Sequence, residues 1–316
     1  MNLSQQYKKK LKRTFLSLTS MFGKIFIHKS YMAEIEFFDR IRGGMYSDQK
    51  YLEAQLRNAA HQVDKGLLRG RKTNGMDMYA KISQNLLHKL EESPDKRTNN
   101  TMLWAKKVLK RYNQQVVHEE NTYEQLKEDQ NSEVENLPII ERIIKNRRSI
   151  RSFGNRQISI ELRSKILEAG LWAPSGCNRQ NIEYLVLTDK DDIKFCQRIA
   201  GEGHSFPQMA SFCVVVLVDC RNIALPSQRH MAYLEAGAAI QNMLLYAHCA
   251  DVGSCWLFWA GTGKKNEHFW QRFNLAHWLL PVSMVCFGYV ERKPFFTPER
   301  KSLKSAVHIV NSEKQA

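Results

Sequence analysis

No cysteine occurs before Cys177, and the seven in the chain (Cys177, Cys196, Cys213, Cys220, Cys249, Cys255 and Cys286) form no CxxC pair. Their number is odd, and several sit inside apolar runs such as Phe212-Cys213-Val214. This argues against a disulfide framework or a zinc ribbon and predicts buried thiols in a reducing compartment. The histidines show no HExxH or other paired-ligand spacing, so no metal site is expected. No GxGxxG follows a strand-like run and no GxSxG elbow is present. Gly261-Thr262-Gly263-Lys264-Lys265 lacks the full GxxxxGK[ST] spacing and is read as a loop. No apolar run reaches the ~20 residues that a membrane-spanning helix needs.

Acidic residues are missing from positions 1–30, where Lys8-Lys9-Lys10-Leu11-Lys12-Arg13 precedes the hydroxyl-interrupted apolar stretch Thr14–Phe22. Without a small-residue cleavage site, this is a poor secretory signal. Phe15, Leu18, Phe22 and Ile25 fall at near-helical spacing. Two readings stay open: an amphipathic helix on an anionic membrane, or a helix packed on its own protein or disordered. The whole chain of 316 residues carries a net charge of +15, which attracts anionic metabolites, acidic lipid or nucleic acid, or simply solvates a basic surface. With 43% hydrophobic residues, it has material for one large domain or two ordinary ones.

The chain divides near residue 135. Before it, Tyr51–Ala60, Met78–Leu87 and Met102–Leu109 have helical periodicity and no strand-like run appears. Pro94 separates the second helix from the third. An acid-rich stretch from His118 to Glu135 reads as a linker or a solvated helix. After it, helical and β-rich runs alternate. Helices are expected over Ile140–Lys145, over Ile160–Ala169 with Ser159 as N-cap and Gly170 closing it, and over Ala232–Ala250. The last is apolar nearly all round, which suits the centre of a domain or of a dimer. Strands are expected over Glu183–Thr188, Phe212–Asp219, Ser254–Phe258 and Val282–Tyr289.

Two polar clusters open this second half. In Arg147-Arg148-Ser149-Ile150-Arg151-Ser152-Phe153, guanidiniums and hydroxyls suit a phosphate, and an extended backbone would put Arg147, Ser149 and Arg151 on one face. The alternative is a solvated basic turn. In Ala173-Pro174-Ser175-Gly176-Cys177-Asn178-Arg179-Gln180, Pro174 sets a turn, Gly176 permits close backbone approach to a ligand, and Asn178 can both donate to and accept from a heterocycle. An ordinary helix-ending loop is the bland alternative.

Together with Gly237–Leu245, Val252-Gly253-Ser254-Cys255-Trp256, Gly288-Tyr289 and Arg300, these motifs occur in an order that resembles the nitroreductase family of FMN-dependent oxidoreductases. The resemblance covers residues 138–316. It implies an α+β fold, three-layer α-β-α with a mixed β-sheet, preceded here by a mainly helical region over 1–137. It also implies a homodimer with FMN at the subunit interface. Arg147, Arg148, Ser149 and Arg151 match the family's opening FMN motif. Pro174, Ser175, Gly176 and Asn178 match the segment along the flavin, contributed by the partner subunit. Gly253 and Ser254 match the loop near the reactive flavin edge, and Arg300 matches a late basic residue at the phosphate. The helix with Gln241 and Asn242 matches the dimer-forming helix.

The implied activity is hydride transfer from NADH or NADPH, through FMN, to a small-molecule electron acceptor by a ping-pong mechanism, in the cytoplasm. No catalytic protein nucleophile or metal is called for, because the flavin carries the chemistry. Two departures leave the substrate pocket open: Gln180 is followed by Asn181-Ile182 rather than Pro-Trp, and Tyr289 by Val290 rather than Pro. His61–Leu67 resembles an HxxEKGL-like segment of extended nitroreductases; the plain alternative is that Gly66 ends a helix and Asp64-Lys65 is solvated. The rival reading of the whole chain is a basic interaction protein that binds an anionic membrane or nucleic acid through residues 1–30. Nucleic acid is the less expected partner of the two.

Overall fold

The computed structural model describes residues 32, 34, 36–41, 44, 46–68, 75–93, 99–114, 136–201, 206–223, 228–292 and 298–308. The expectations for residues 1–30 and for the acid-rich stretch 118–135 lie outside the described residues, as does Pro94.

After a helical turn over 36–41 come three helices: α1 (Gln49–Leu68), α2 (Met76–Glu91) and α3 (Asn100–Asn113). Leu56, Ala60, Val63 and Leu67 form one buried stripe on α1, and Ala80, Leu87 and Leu90 another on α2. These meet Met102, Ala105, Val108 and Leu109 of α3 in a shared apolar cluster. Asn99 caps α3 by accepting from the Met102 N–H at 3.0 Å. Each helix extends past its expected span: Val63 and Leu67 carry the apolar stripe of α1 beyond Ala60, Leu90 carries that of α2 beyond Leu87, and α3 adds polar end turns. Gly66 is buried inside α1 rather than ending it.

The second half is built on four strands, β1 (Ile182–Leu187), β2 (Phe212–Asp219), β3 (Val252–Phe258) and β4 (Leu279–Tyr289), in the order β1-β2-β4-β3. All three pairings are antiparallel, and the parallel contribution to the sheet is the isolated bridge between Ser149 and Ser254. Every residue of β2 is buried, as its unbroken apolar run predicts. Pro281 sits in β4 opposite Leu217, where the β2–β4 register shifts, so its missing N–H falls at an irregularity of the ladder.

Helices α4 (Leu137–Asn146), α5 (Ile160–Leu171), α6 (Lys190–Ala200), α7 (Met231–Cys249) and α8 (Lys264–Arg272) surround the sheet. Backed by α5, α7 lies against all four strands, while α6 packs with α8 and touches β1 and β4. Helices therefore cover both faces, giving the three-layer α-β-α arrangement. Ser159 caps α5 as expected, accepting from the Leu162 N–H at 3.2 Å. Gly170 does not close that helix. It lies within α5, where a Cβ would fall 3.0 Å from Met243 Cγ and 3.2 Å from the Ala239 carbonyl, so its role is close packing on α7. One side of α7 is buried through Ala236, Ala239, Ile240 and Met243, and the other leaves Tyr233, Leu234 and Tyr246 exposed.

Phe37, Phe38 and Ile41 join the larger core around the sheet rather than the three-helix cluster, and Phe37 stacks on Trp270 at 5.9 Å. The three-helix unit docks through α1. Lys50 pairs with Glu183 at 2.7 Å, and Gln55 donates to Asn222 at 2.8 Å. Arg221 is ion-paired to both Asp219 and Asp48 and sits among the rings of Tyr46, Tyr51 and Trp278. Burial alone would lower the Arg221 pKa, but the hydrogen bonds and charges of the two aspartates outweigh it and raise the pKa.

Candidate cofactor site

Where α4 ends, the chain leaves the helix at Arg147, whose backbone turns extended while its N–H still bonds back to Ile143 at 3.1 Å. The next residues run beside the start of β3. Ser149 bridges Ser254, the Ile150 N–H donates to the Ser254 carbonyl at 2.8 Å, and Phe153 bridges Val290. This contact explains two glycines. A Cβ on Gly253 would fall 2.9 Å from Val290 Cγ2 and 3.0 Å from Ile150 Cβ, and one on Gly288 would fall 2.8 Å from the Phe153 ring. Bare backbone at both positions lets the arginine segment lie on the sheet edge.

Arg147 is half-buried, and its pKa is lowered first by burial and then by the positive charges of Arg148 and Arg300. Arg300 lies far along the chain, yet its charge acts on Arg147. Arg148 donates to the carbonyls of Lys145 and Arg147, and Arg300 to those of Pro298 and Glu299, which steadies both guanidiniums. Like charges acting on one another in this way would suit an anion, which would relieve the repulsion and accept charge-assisted hydrogen bonds. Buried Ser254 and half-buried Ser149 flank it.

The expected common face of Arg147, Ser149 and Arg151 does not hold across the segment. Arg151 is exposed, and the buried residues Ile150 and Phe153 are three apart, because isolated bridges rather than a regular strand anchor this backbone.

The second motif forms a tight loop after α5, with a 3-10 turn at Gly176–Asn178. Pro174 is exposed, while Ser175, Gly176 and Asn178 are half-buried. Cys177, Asn178 and Gln180 have φ of 55°, 53° and 55°, a left-handed conformation that costs a non-glycine residue roughly 1–2 kcal/mol and that Asn tolerates best. Ser175 Oγ accepts from the Gln180 N–H at 3.0 Å, and Gln180 Nε2 donates to Asn178 Oδ1 at 3.0 Å. From α7, Glu235 Oε1 accepts from the Gly176 N–H at 2.7 Å.

Gly176 makes its close approach to α7 rather than to open space, since a Cβ there would run into Met231 Cε. Glu235 is buried, which raises its pKa, while the Gly176 N–H, the Arg179 charge and the Asn181 amide each pull it back. Its second oxygen, Oε2, accepts no hydrogen bond within 3.5 Å.

One chain does not bring the two motifs together. The Pro174–Asn178 loop is held near the start of α7 by Glu235, whereas Gly253 and Ser254 follow the end of that helix at Cys249. At 1.5 Å per residue, α7 separates them by roughly 20 Å. Glu235 and Arg57, which reaches the Arg179 carbonyl at 3.1 Å, were not foreseen from the sequence. Glu235 was detectable as the lone acid of an otherwise apolar helix. Arg57 carried no local signal, because its partner lies 122 residues away.

A family model described as the nitroreductase family matches residues 144–212 and 203–289. A protein of Archaeoglobus fulgidus described as "Putative NADH dehydrogenase/NAD(P)H nitroreductase" is 30% identical over 168 residues, covering 53% of this chain and 95% of that protein. A protein of the same description from Methanothermobacter thermautotrophicus is 26% identical over 165 residues, covering 51% and 84%. Among solved structures, a nitroreductase in complex with FMN from Desulfovibrio desulfuricans is 28% identical with a TM-score of 0.46, covering 54% of this chain and 96% of that one. With 30% identity across nearly the whole archaeal relative, and the conserved-length match falling on the half that carries both motifs, this chain belongs to the nitroreductase family of oxidoreductases.

Proposed function

We infer that this protein is an FMN-dependent oxidoreductase that takes hydride from NADH or NADPH and passes it to a small-molecule acceptor. What supports this reading is the Arg147-Arg148-Ser149 segment laid beside Gly253-Ser254, with the charges of Arg148 and Arg300 both acting on half-buried Arg147. Three guanidiniums would suit a terminal phosphate and other flavin oxygens, Ser149 a polar atom beside them, and Gly253-Ser254 the reactive edge of the flavin. Bound flavin supplies the hydride chemistry, and the protein supplies binding and orientation. Half-buried Arg147 also puts positive charge where an anionic, electron-rich ligand would be stabilised. Donor and acceptor then use one site in turn, a ping-pong order. The acceptor is a nitroaromatic, a quinone-like compound or another small oxidant.

The Pro174–Asn178 loop would serve the flavin of a second subunit. Its distance from the arginine group within one chain supports this, as do exposed Leu234 and Tyr246 on α7 and exposed Trp256 and Phe258 on β3, which offer an apolar face to a partner. The working assembly is therefore a homodimer with FMN at its interface. All seven cysteines are free thiols, and burial pushes those of Cys196, Cys220 and Cys286 upward in pKa, which fits a cytoplasmic enzyme.

The test is the visible spectrum of the purified protein under anaerobic conditions. Bound FMN that bleaches on adding NADH or NADPH and recovers with an acceptor supports the reading. A colourless protein that takes up no FMN on reconstitution refutes it.

A further inference from the structure

We propose that the N-terminal helical unit holds the Pro174–Gln180 loop in shape, with Arg57 of α1 as the positioning residue. Only the last step of this inference, from loop shape to cofactor affinity, rests on the FMN reading above.

The loop needs support from outside itself. Three of its non-glycine residues are left-handed, and its internal hydrogen bonds, Ser175 Oγ with the Gln180 N–H and Gln180 Nε2 with Asn178 Oδ1, close the loop without fixing where it stands. Two elements grip it from outside. On one side, Glu235 of α7 holds the Gly176 N–H at 2.7 Å. On the other, Arg57 Nε donates to the Arg179 carbonyl at 3.1 Å, and Gln62 Nε2 reaches Cys177 Sγ at 3.4 Å. Arg57 and Gln62 lie five residues apart on α1 and hold the loop at Arg179 and Cys177, on either side of left-handed Asn178.

The Arg57 guanidinium is itself fixed. Its side chain is 12% exposed, Nη1 donates to Thr101 Oγ1 of α3 at 2.9 Å, and Glu53 lies 3.8 Å away. Burial lowers its pKa, and the Glu53 charge offsets part of that. Arg57 therefore ties the three-helix cluster to a single carbonyl of the loop. The docking of α1 as a whole is secured elsewhere, by Lys50–Glu183, Gln55–Asn222 and the Arg221 pairs. Losing Arg57 should free the loop without releasing the helix.

The experiment compares the full-length wild type with Arg57→Ala, Arg57→Lys and Lys65→Ala. Hydrogen exchange is measured in the flavin-free protein, and FMN binding is followed by flavin fluorescence and visible absorbance. In Arg57→Ala, amides over 174–181 should exchange about tenfold faster while those of α2 are unchanged. FMN should bind about tenfold more weakly, with its visible band moved toward that of free FMN. Arg57→Lys, which keeps a cation in the cluster but lacks Nε, should move the same readouts in the same direction, and it stands in if the alanine variant fails to fold. Lys65→Ala, at an exposed position of α1, leaves the Arg57–Arg179 bond and should bind FMN within about twofold of wild type. Unchanged exchange over 174–181 in both Arg57 variants overturns the proposal. Faster loop exchange with unchanged FMN affinity overturns its link to the cofactor. A wild type that binds no FMN refutes the flavin reading alone, and the exchange measurement still decides whether Arg57 positions the loop.

Discussion

Gly253→Ala isolates the contact that seats the arginine segment on the sheet. The added methyl would lie 2.9 Å from Val290 Cγ2 and 3.0 Å from both Ile150 Cβ and Cγ2, where unstrained carbon contacts are about 3.5–4.0 Å. None of these neighbours can swing clear easily. Ile150 is buried and its N–H is bonded to Ser254 at 2.8 Å, while Val290 pairs with Phe153. Relief therefore requires residues 149–153 to move off β3 by about 0.5 Å or more. Overpacking of this kind costs about 1–3 kcal/mol, which for a domain of this size lowers Tm by roughly 2–10 °C. Because Ser149 rides on the displaced segment and Arg147 lies two residues before it, FMN affinity should fall along with Tm. Thermal melts and FMN titrations of wild type and Gly253→Ala check both. A variant with wild-type Tm and wild-type FMN affinity would refute the argument that Gly253 is needed for this packing.

Arg221→Leu should cost about 3–5 kcal/mol, because it leaves buried Asp219 without its cation and also releases Asp48 of the N-terminal unit; denaturant melts will show whether the loss is that large. Glu235 should impose a pH dependence on stability. Its folded pKa is raised, so its favourable contribution is complete below the unfolded carboxylate value and is lost as pH rises through the folded one. Glu235→Gln, whose carbonyl can still accept from the Gly176 N–H, should flatten that part of the stability–pH curve, which thermal melts across the acid-to-neutral range will reveal. Leu234→Arg puts a charge on the exposed side of α7 and should shift the protein to monomer in sedimentation and weaken FMN retention.

Much of the fold follows from patterns that depend on near neighbours. The apolar run Phe212–Asp219 specified a strand buried on both faces, and Ser159 announced the start of α5. Boundaries were harder. The polar end turns of α3 have no apolar period, Gly66 obscured the continuation of the α1 stripe through Val63 and Leu67, and Gly170 looked like a stop signal although it serves to bring α5 against α7. The arginines of the first motif were legible by type, but the effect of the Arg300 charge on Arg147 acts across 153 residues of sequence and has no local pattern. Glu235 and Arg57 act on the second motif across 59 and 122 residues, and no local pattern encodes such contacts.

The central claim is that the group of Arg147, Arg148 and Arg300 grips the phosphate of FMN. The most direct measurement is the affinity of FMN against that of riboflavin, which lacks the phosphate, in the wild type and in Arg147→Ala. Hydrogen bonds to charged groups contribute about 1.5–3 kcal/mol each, so the wild type should prefer FMN by about tenfold or more, and Arg147→Ala should lose most of that preference. Equal binding of FMN and riboflavin by the wild type, or an undiminished preference in Arg147→Ala, would contradict the assignment.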